Sequence, residues 1–190
     1  MTTARVPAVQ LRALIREWTR IASEHMFDTD LIPWWLDHTL RLQSISMAAE
    51  TLGWRTKPKR NPEDPSVPWD LRIKTPNTRM VARCVGAGVF LRRREANPDV
   101  IDDAWRLLTD TSPPPDTIGI FLVAVIPMIP DAGDESAQRR AVTRWLNANT
   151  WHDANGLASW VESHHPFPRN SAGTVFPGIG LIARSTRRRV

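Results

Sequence analysis

Three runs of basic residues dominate the chemistry of the chain: Arg55, Lys57, Lys59 and Arg60; Arg92, Arg93 and Arg94; and Arg184, Arg187, Arg188 and Arg189 near the C-terminus. Guanidinium and ammonium groups at this density neutralise phosphates, so their first implication is tracking of a DNA or RNA backbone. The same groups also serve as solvated loop charges, and Glu63, Asp64 and Glu95 lie among them. His152-Asp153 and His164-His165 bring three imidazoles and a carboxylate, the ligand types of a transition-metal site. A helix expected over about 153–163 separates the two pairs, which therefore read as surface or loop histidines. Asp37-His38 has no partner at i+4 and reads as an exposed polar face. Cys84, the single cysteine, has no base fixed nearby and stands among apolar neighbours, as a small buried residue rather than a nucleophile. Gly86-Ala87-Gly88 lacks the lysine of a phosphate loop. Trp34-Trp35 beside Pro33 offers either a stacking or partner surface, or a core residue at Trp35 with Trp34 half exposed beside it.

These groups sit on 190 residues of which 42% are hydrophobic and 24% charged, enough for one buried core. A single cysteine excludes a disulfide framework and a four-cysteine zinc site. The net charge is +5, but without Arg187, Arg188 and Arg189 it is only +2. Twenty-two Arg against three Lys, and nine Trp with no Tyr, are what GC-rich coding favours, so bulk composition does not make a nucleic-acid binder. The N-terminus lacks the charged and apolar regions of a signal peptide. The longest apolar run, 118–129, is interrupted by Pro127 and is far short of the roughly 20 residues of a membrane helix. A cytoplasmic, reducing setting without a membrane partner is the expectation.

Apolar positions Leu11, Leu14, Ile15, Trp18 and Ile21 predict a helix over 7–25. A second helix is expected from Asp30 as cap, through Trp35, Leu42, Ile45 and Ala49, to Leu52, with Gly53 as its stop. Residues 54–57 look extended, and a proline-broken loop follows. Trp69-Asp70-Leu71-Arg72-Ile73 and 80–85 form a hairpin around the turn residues 75–78, with Gly86 and Gly88 at its end or at a bulge. Asn97-Pro98-Asp99 starts a helix to about 109. The continuous apolar run 117–126 reads as a central strand covered on both faces. A helix from Asp134-Glu135 through Leu146, the helix over 153–163 and a last hairpin or strand at 174–176 and 179–183 complete the order. The expected fold is α/β, a single domain over 1–183 with a mixed β-sheet flanked by helices. It comprises a helical N-terminal part (7–53), a sheet core (54–128) and a helical C-terminal part (134–165), followed by a basic tail at 184–190.

Ala48-Ala49-Glu50-Thr51-Leu52-Gly53-Trp54, then Trp69-Asp70-Leu71-Arg72-Ile73, a hairpin, a helix and the strand 118–126, resembles the core of the restriction-endonuclease-like PD-(D/E)xK nucleases over about residues 40–128. The resemblance implies a helix ending in Leu-Gly that enters a sheet, a metal-binding aspartate on the first hairpin strand and an acidic-x-Lys triplet on the second. It places Asp70 at the strand aspartate and Glu50 at the helix glutamate, carboxylates of the kind that bind Mg²⁺ for hydrolysis. Arg83-Cys84-Val85 stands where the triplet belongs, and residues 80–91 contain neither carboxylate nor lysine.

The leading expectation is a non-catalytic, nuclease-like accessory domain without a metal or other cofactor. It would bind DNA or RNA through Arg55, Lys57, Lys59, Arg60, Arg92, Arg93 and Arg94 inside a nucleic-acid-processing or defence assembly. A second is a divergent Mg²⁺-dependent nuclease using Asp70 and Glu50 as catalytic residues. A third is a protein-interaction or phage assembly subunit, with the Trp-rich helices as its interface.

Overall fold

The computed structural model describes residues 6–25, 37–60, 67–90, 116–129, 156–162 and 173–185, with single positions at 103, 106, 110, 114, 134, 136, 137, 140, 143, 144 and 169. The elements with described bounds are α1 (Ala8–His25), α2 (His38–Thr51), β1 (Arg55–Pro58), β2 (Leu71–Lys74), β3 (Arg79–Phe90), β4 (Ile118–Met128), β5 (Gly156–Glu162) and β6 (Gly178–Ser185). The six strands form one mixed sheet in the order β1-β2-β3-β4-β6-β5, which makes the chain a single mixed α/β domain. Neighbouring strands are antiparallel except β3 and β4, which run parallel from Met80↔Ile118 to Phe90↔Met128. A parallel pair needs a crossover connection, and Asp103, Arg106 and Asp110 between these strands are helical. No described helix is long and apolar enough to cross a membrane.

Both helices bury their apolar stripes on one face of the sheet. Leu11, Leu14, Ile15, Trp18, Ile21 and Ala22 of α1 follow the helical period and join Leu71, Ile73, Met80, Ala82, Ile120, Leu122 and Leu181 in one core. The indole N–H of Trp18 donates to Ser44 Oγ at 2.9 Å, and the Ser44 hydroxyl donates to the Arg41 carbonyl. A fully buried polar pair thus clamps α1 to α2 without an orphan donor. Ala48 and Ala49, both fully buried, let α2 approach β1 and β3. β4 holds the centre, buried on both faces: Ile120, Leu122 and Ala124 on the helical side, Phe121, Val123 and Val125 on the other, as its unbroken apolar run predicts.

Several sequence expectations change. The second helix starts at His38, capped by Asp37, whose carboxylate accepts from Leu40 N at 3.0 Å. The expected cap, Asp30, and the expected burial of Trp35 lie outside the described residues. The segment expected as a helix over 153–163 is strand β5, paired antiparallel along β6 from Gly156↔Arg184 to Glu162↔Gly178. A short apolar run fits either period, and pairing along β6 decides for the strand. Gly86 and Gly88 neither end β3 nor bulge it, because both stay in regular register with β4. Arg184, assigned to the tail, belongs to β6. The helix expected over 97–109 is described only at 103 and 106, and that from 134 at 136, 137, 140, 143 and 144, all helical.

Candidate functional site

Asp70 stands immediately before β2, and its backbone is held from both sides: its N–H donates to Ala82 O at 2.7 Å and its carbonyl accepts from Lys59 N at 2.8 Å. Its carboxylate is buried and fully engaged. Oδ2 accepts from the Cys84 backbone N–H at 2.7 Å, and Oδ1 accepts from Arg83 Nη1 at 3.0 Å, with His38 Nε2 at 3.7 Å. Glu50, exposed near the end of α2, lines with Asp70, His38, Leu42, Met47 and Lys59 a cleft of about 660 Å³. The two carboxylates that the nuclease resemblance singles out therefore share a cleft.

The state of Asp70 nevertheless does not fit a Mg²⁺ ion. The guanidinium of Arg83 occupies the oxygen that would face a cation, and the other oxygen closes a backbone hydrogen bond. Hard divalent ions need several free oxygen ligands, and both oxygens of this carboxylate are already engaged. Arg41, also buried beside this group, has its pKa lowered by burial, an effect opposed by Cys84, Asp37 and Asp70. The Cys84 thiol is pushed well above its usual range, first by burial and then by the Asp70 charge, against the pull of Arg41 and Arg83. A thiol so held is protonated at neutral pH and is no nucleophile. The Asp37-His38 pair, expected as a plain polar face, caps α2 and brings an imidazole towards Asp70.

A different set of side chains emerges on the outer face of β1, β2 and β3. Register sets Arg55 opposite Lys74 and Lys74 opposite Arg79, while Lys57 is opposite Arg72. Alternation puts all five on one face, and all five are exposed. The other face of the same strands buries Leu71, Ile73, Met80 and Ala82. Among the described residues, no ion pair forms to any of the five cations. Like charges directly opposite each other on a sheet are destabilising, so three such pairs on one small surface are a standing cost in the free protein.

No family model, curated protein or solved structure matches the chain.

Of the expected basic residues, Arg55 and Lys57 join this face. Lys59 turns its ammonium to the Val67 carbonyl at 2.8 Å, and Arg60 is exposed just beyond β1. Arg92, Arg93 and Arg94 lie outside the described residues. The groove expected between the two clusters needs that run and so lies outside the described residues. Arg72, Lys74 and Arg79 were missed, although a signal for them was present. In Leu71-Arg72-Ile73-Lys74 the cations alternate with the apolar residues, so a hairpin that buries Leu71 and Ile73 must present Arg72 and Lys74 outward. Trp34-Trp35, His152-Asp153, His164-His165 and Arg187 to Arg189 lie outside the described residues.

Proposed function

We propose that this domain binds nucleic acid through the phosphate backbone and does not cleave it, as an accessory part of a nucleic-acid-processing or defence assembly. The observation that carries the reading is the cationic face of Arg55, Lys57, Arg72, Lys74 and Arg79, which has no ion-pair partner among the described residues. Its like-charge cross-strand pairs are unfavourable in the free protein and become favourable when a polyanion lies over them. The succession of α2, the β2–β3 hairpin, helical residues at 103, 106 and 110 and strand β4 supports the restriction-endonuclease-like reading. Arg83 in the acid position supports a scaffold of that kind whose cleft has become a structural ion pair.

The test is fluorescence anisotropy of labelled duplex and single-stranded oligonucleotides across a salt series. Binding should weaken steeply with salt, with a log–log slope of roughly −4 on duplex if most of the five cations each neutralise a phosphate. Arg72→Ala, Lys74→Ala and Arg79→Ala should each reduce that slope by about 1. Salt-insensitive binding, or none, overturns the proposal. Mg²⁺-dependent cleavage that disappears in Asp70→Ala would replace it with the nuclease reading based on Asp70 and Glu50.

A further inference from the structure

Beside the basic face lies a second cleft, of about 510 Å³, whose walls carry the cations Lys57, Lys59, Arg60 and Arg72 and the rings of Trp69 and Pro58. No carboxylate lines it among the described residues. Trp69 is half-buried, and rigid anchors hold the chain on either side of it. On one side Asp70 is tied to Ala82 and Lys59 through its backbone, and on the other the Lys59 ammonium holds the Val67 carbonyl. The backbone that carries the indole to this cationic cleft is therefore held in place, and the ring is only half-buried where the core Trp18 is fully buried. Lys57 and Arg72 are opposite one another on β1 and β2, so the cleft opens directly onto the cationic face.

From this juxtaposition we infer that the Trp69 cleft is a nucleotide subsite for single-stranded nucleic acid. One unpaired base stacks on the indole, and the phosphates flanking it lie on Lys57, Arg60 and Arg72. The inference rests on the proposed nucleic-acid binding and narrows it to a substrate class. A base in an intact duplex presents its edges to the grooves and keeps its faces inside the stack, whereas an unpaired base offers a face to an aromatic ring. Charge complementarity selects a polyanion, and the indole selects one with a planar ring.

The experiment compares a labelled oligothymidylate and an oligouridylate of about 12 nucleotides with a duplex of the same length. Wild type, Trp69→Ala, Trp69→Phe and Arg79→Ala are each checked by thermal melting. Trp69→Ala should weaken single-strand binding about 10- to 100-fold, with the duplex affinity changed much less. Trp69→Phe, which keeps an aromatic face, should recover most of the loss. Arg79→Ala, on the basic face but outside the cleft, should weaken single strand and duplex alike. Unchanged single-strand binding in a folded Trp69→Ala protein overturns the subsite while leaving the backbone-binding proposal standing, as does a wild type that prefers duplex. No binding to any of the three probes overturns both.

Discussion

Where β2 begins, the Asp70 carboxylate takes the place of a ladder carbonyl at the Cys84 N–H and at the same time neutralises Arg83. Asp70→Ala should therefore lower stability by about 3 kcal/mol, because it leaves a buried N–H unsatisfied and a guanidinium without its partner. In a chain of this size that corresponds to a fall of roughly 6 to 12 °C in Tm. Asp70→Asn keeps an acceptor for the Cys84 N–H and should cost only about 1 kcal/mol. Equal losses in the two variants, measured by calorimetry, would show that the ion pair matters more than the strand-end hydrogen bond. Beneath this pair, Cys84 is 3% exposed and its thiol is pushed up by burial. It should resist a thiol reagent at pH 8 in the native protein and react as one equivalent in guanidinium. The raised thiol also has a pH consequence. The unfolded chain loses its proton first, so the contribution to stability is complete below about pH 8.5 and declines as pH rises above it. With no Tyr in the chain, few other groups titrate there, and Cys84→Ala should flatten the alkaline fall in denaturation midpoint.

At the level of elements, capping and close approach explain positions that hydrophobic periodicity does not. Asp37 satisfies the first turn of α2, and Asp37→Ala should cost about 1 kcal/mol. At the other end of α2, Gly53 adopts φ 71° and its N–H donates to Glu50 O at 2.8 Å, the left-handed stop expected of a glycine after a helix. Gly178 opens β6 where a Cβ would collide with the Val161 carbonyl and stand 2.6 Å from Trp160 Cζ2. Gly178→Ala should loosen β5 from β6 at a cost of about 1 to 3 kcal/mol. A melt unchanged from wild type would mean that the edge strand shifts freely. α1, the hairpin and β4 were legible because each has a strong period or an unbroken apolar run matching its burial. β5 was not, because seven residues, Gly156–Glu162, are too few for a period to exclude a helix, and its partner β6 lies some twenty residues further along the chain.

For the molecule as a whole, the distribution of charge matters more than its total. A net charge of +5 steers polyanions weakly. Five exposed cations gathered on a surface two residues deep and three strands wide create a local field that the total does not describe. That field should respond to single substitutions. Arg72→Glu should weaken oligonucleotide binding more than Arg12→Glu on α1, at the same change in net charge, as read by anisotropy at fixed ionic strength. Equal losses would make the effect one of bulk charge alone. By itself, the sequence determined the element types with strong periodicity, the α/β class, the burial of Cys84 and the absence of carboxylate and lysine from residues 80–91, because these follow from residue type and local spacing. Only the tertiary structure decided that Asp70 is paired with Arg83, that Glu50 and Asp70 share a cleft and that Arg55, Lys57, Arg72, Lys74 and Arg79 form one surface with Trp69 beside it. Each of those facts depends on which strands pair and in what register, and register is set by long-range packing of the whole sheet rather than by any local run of residues.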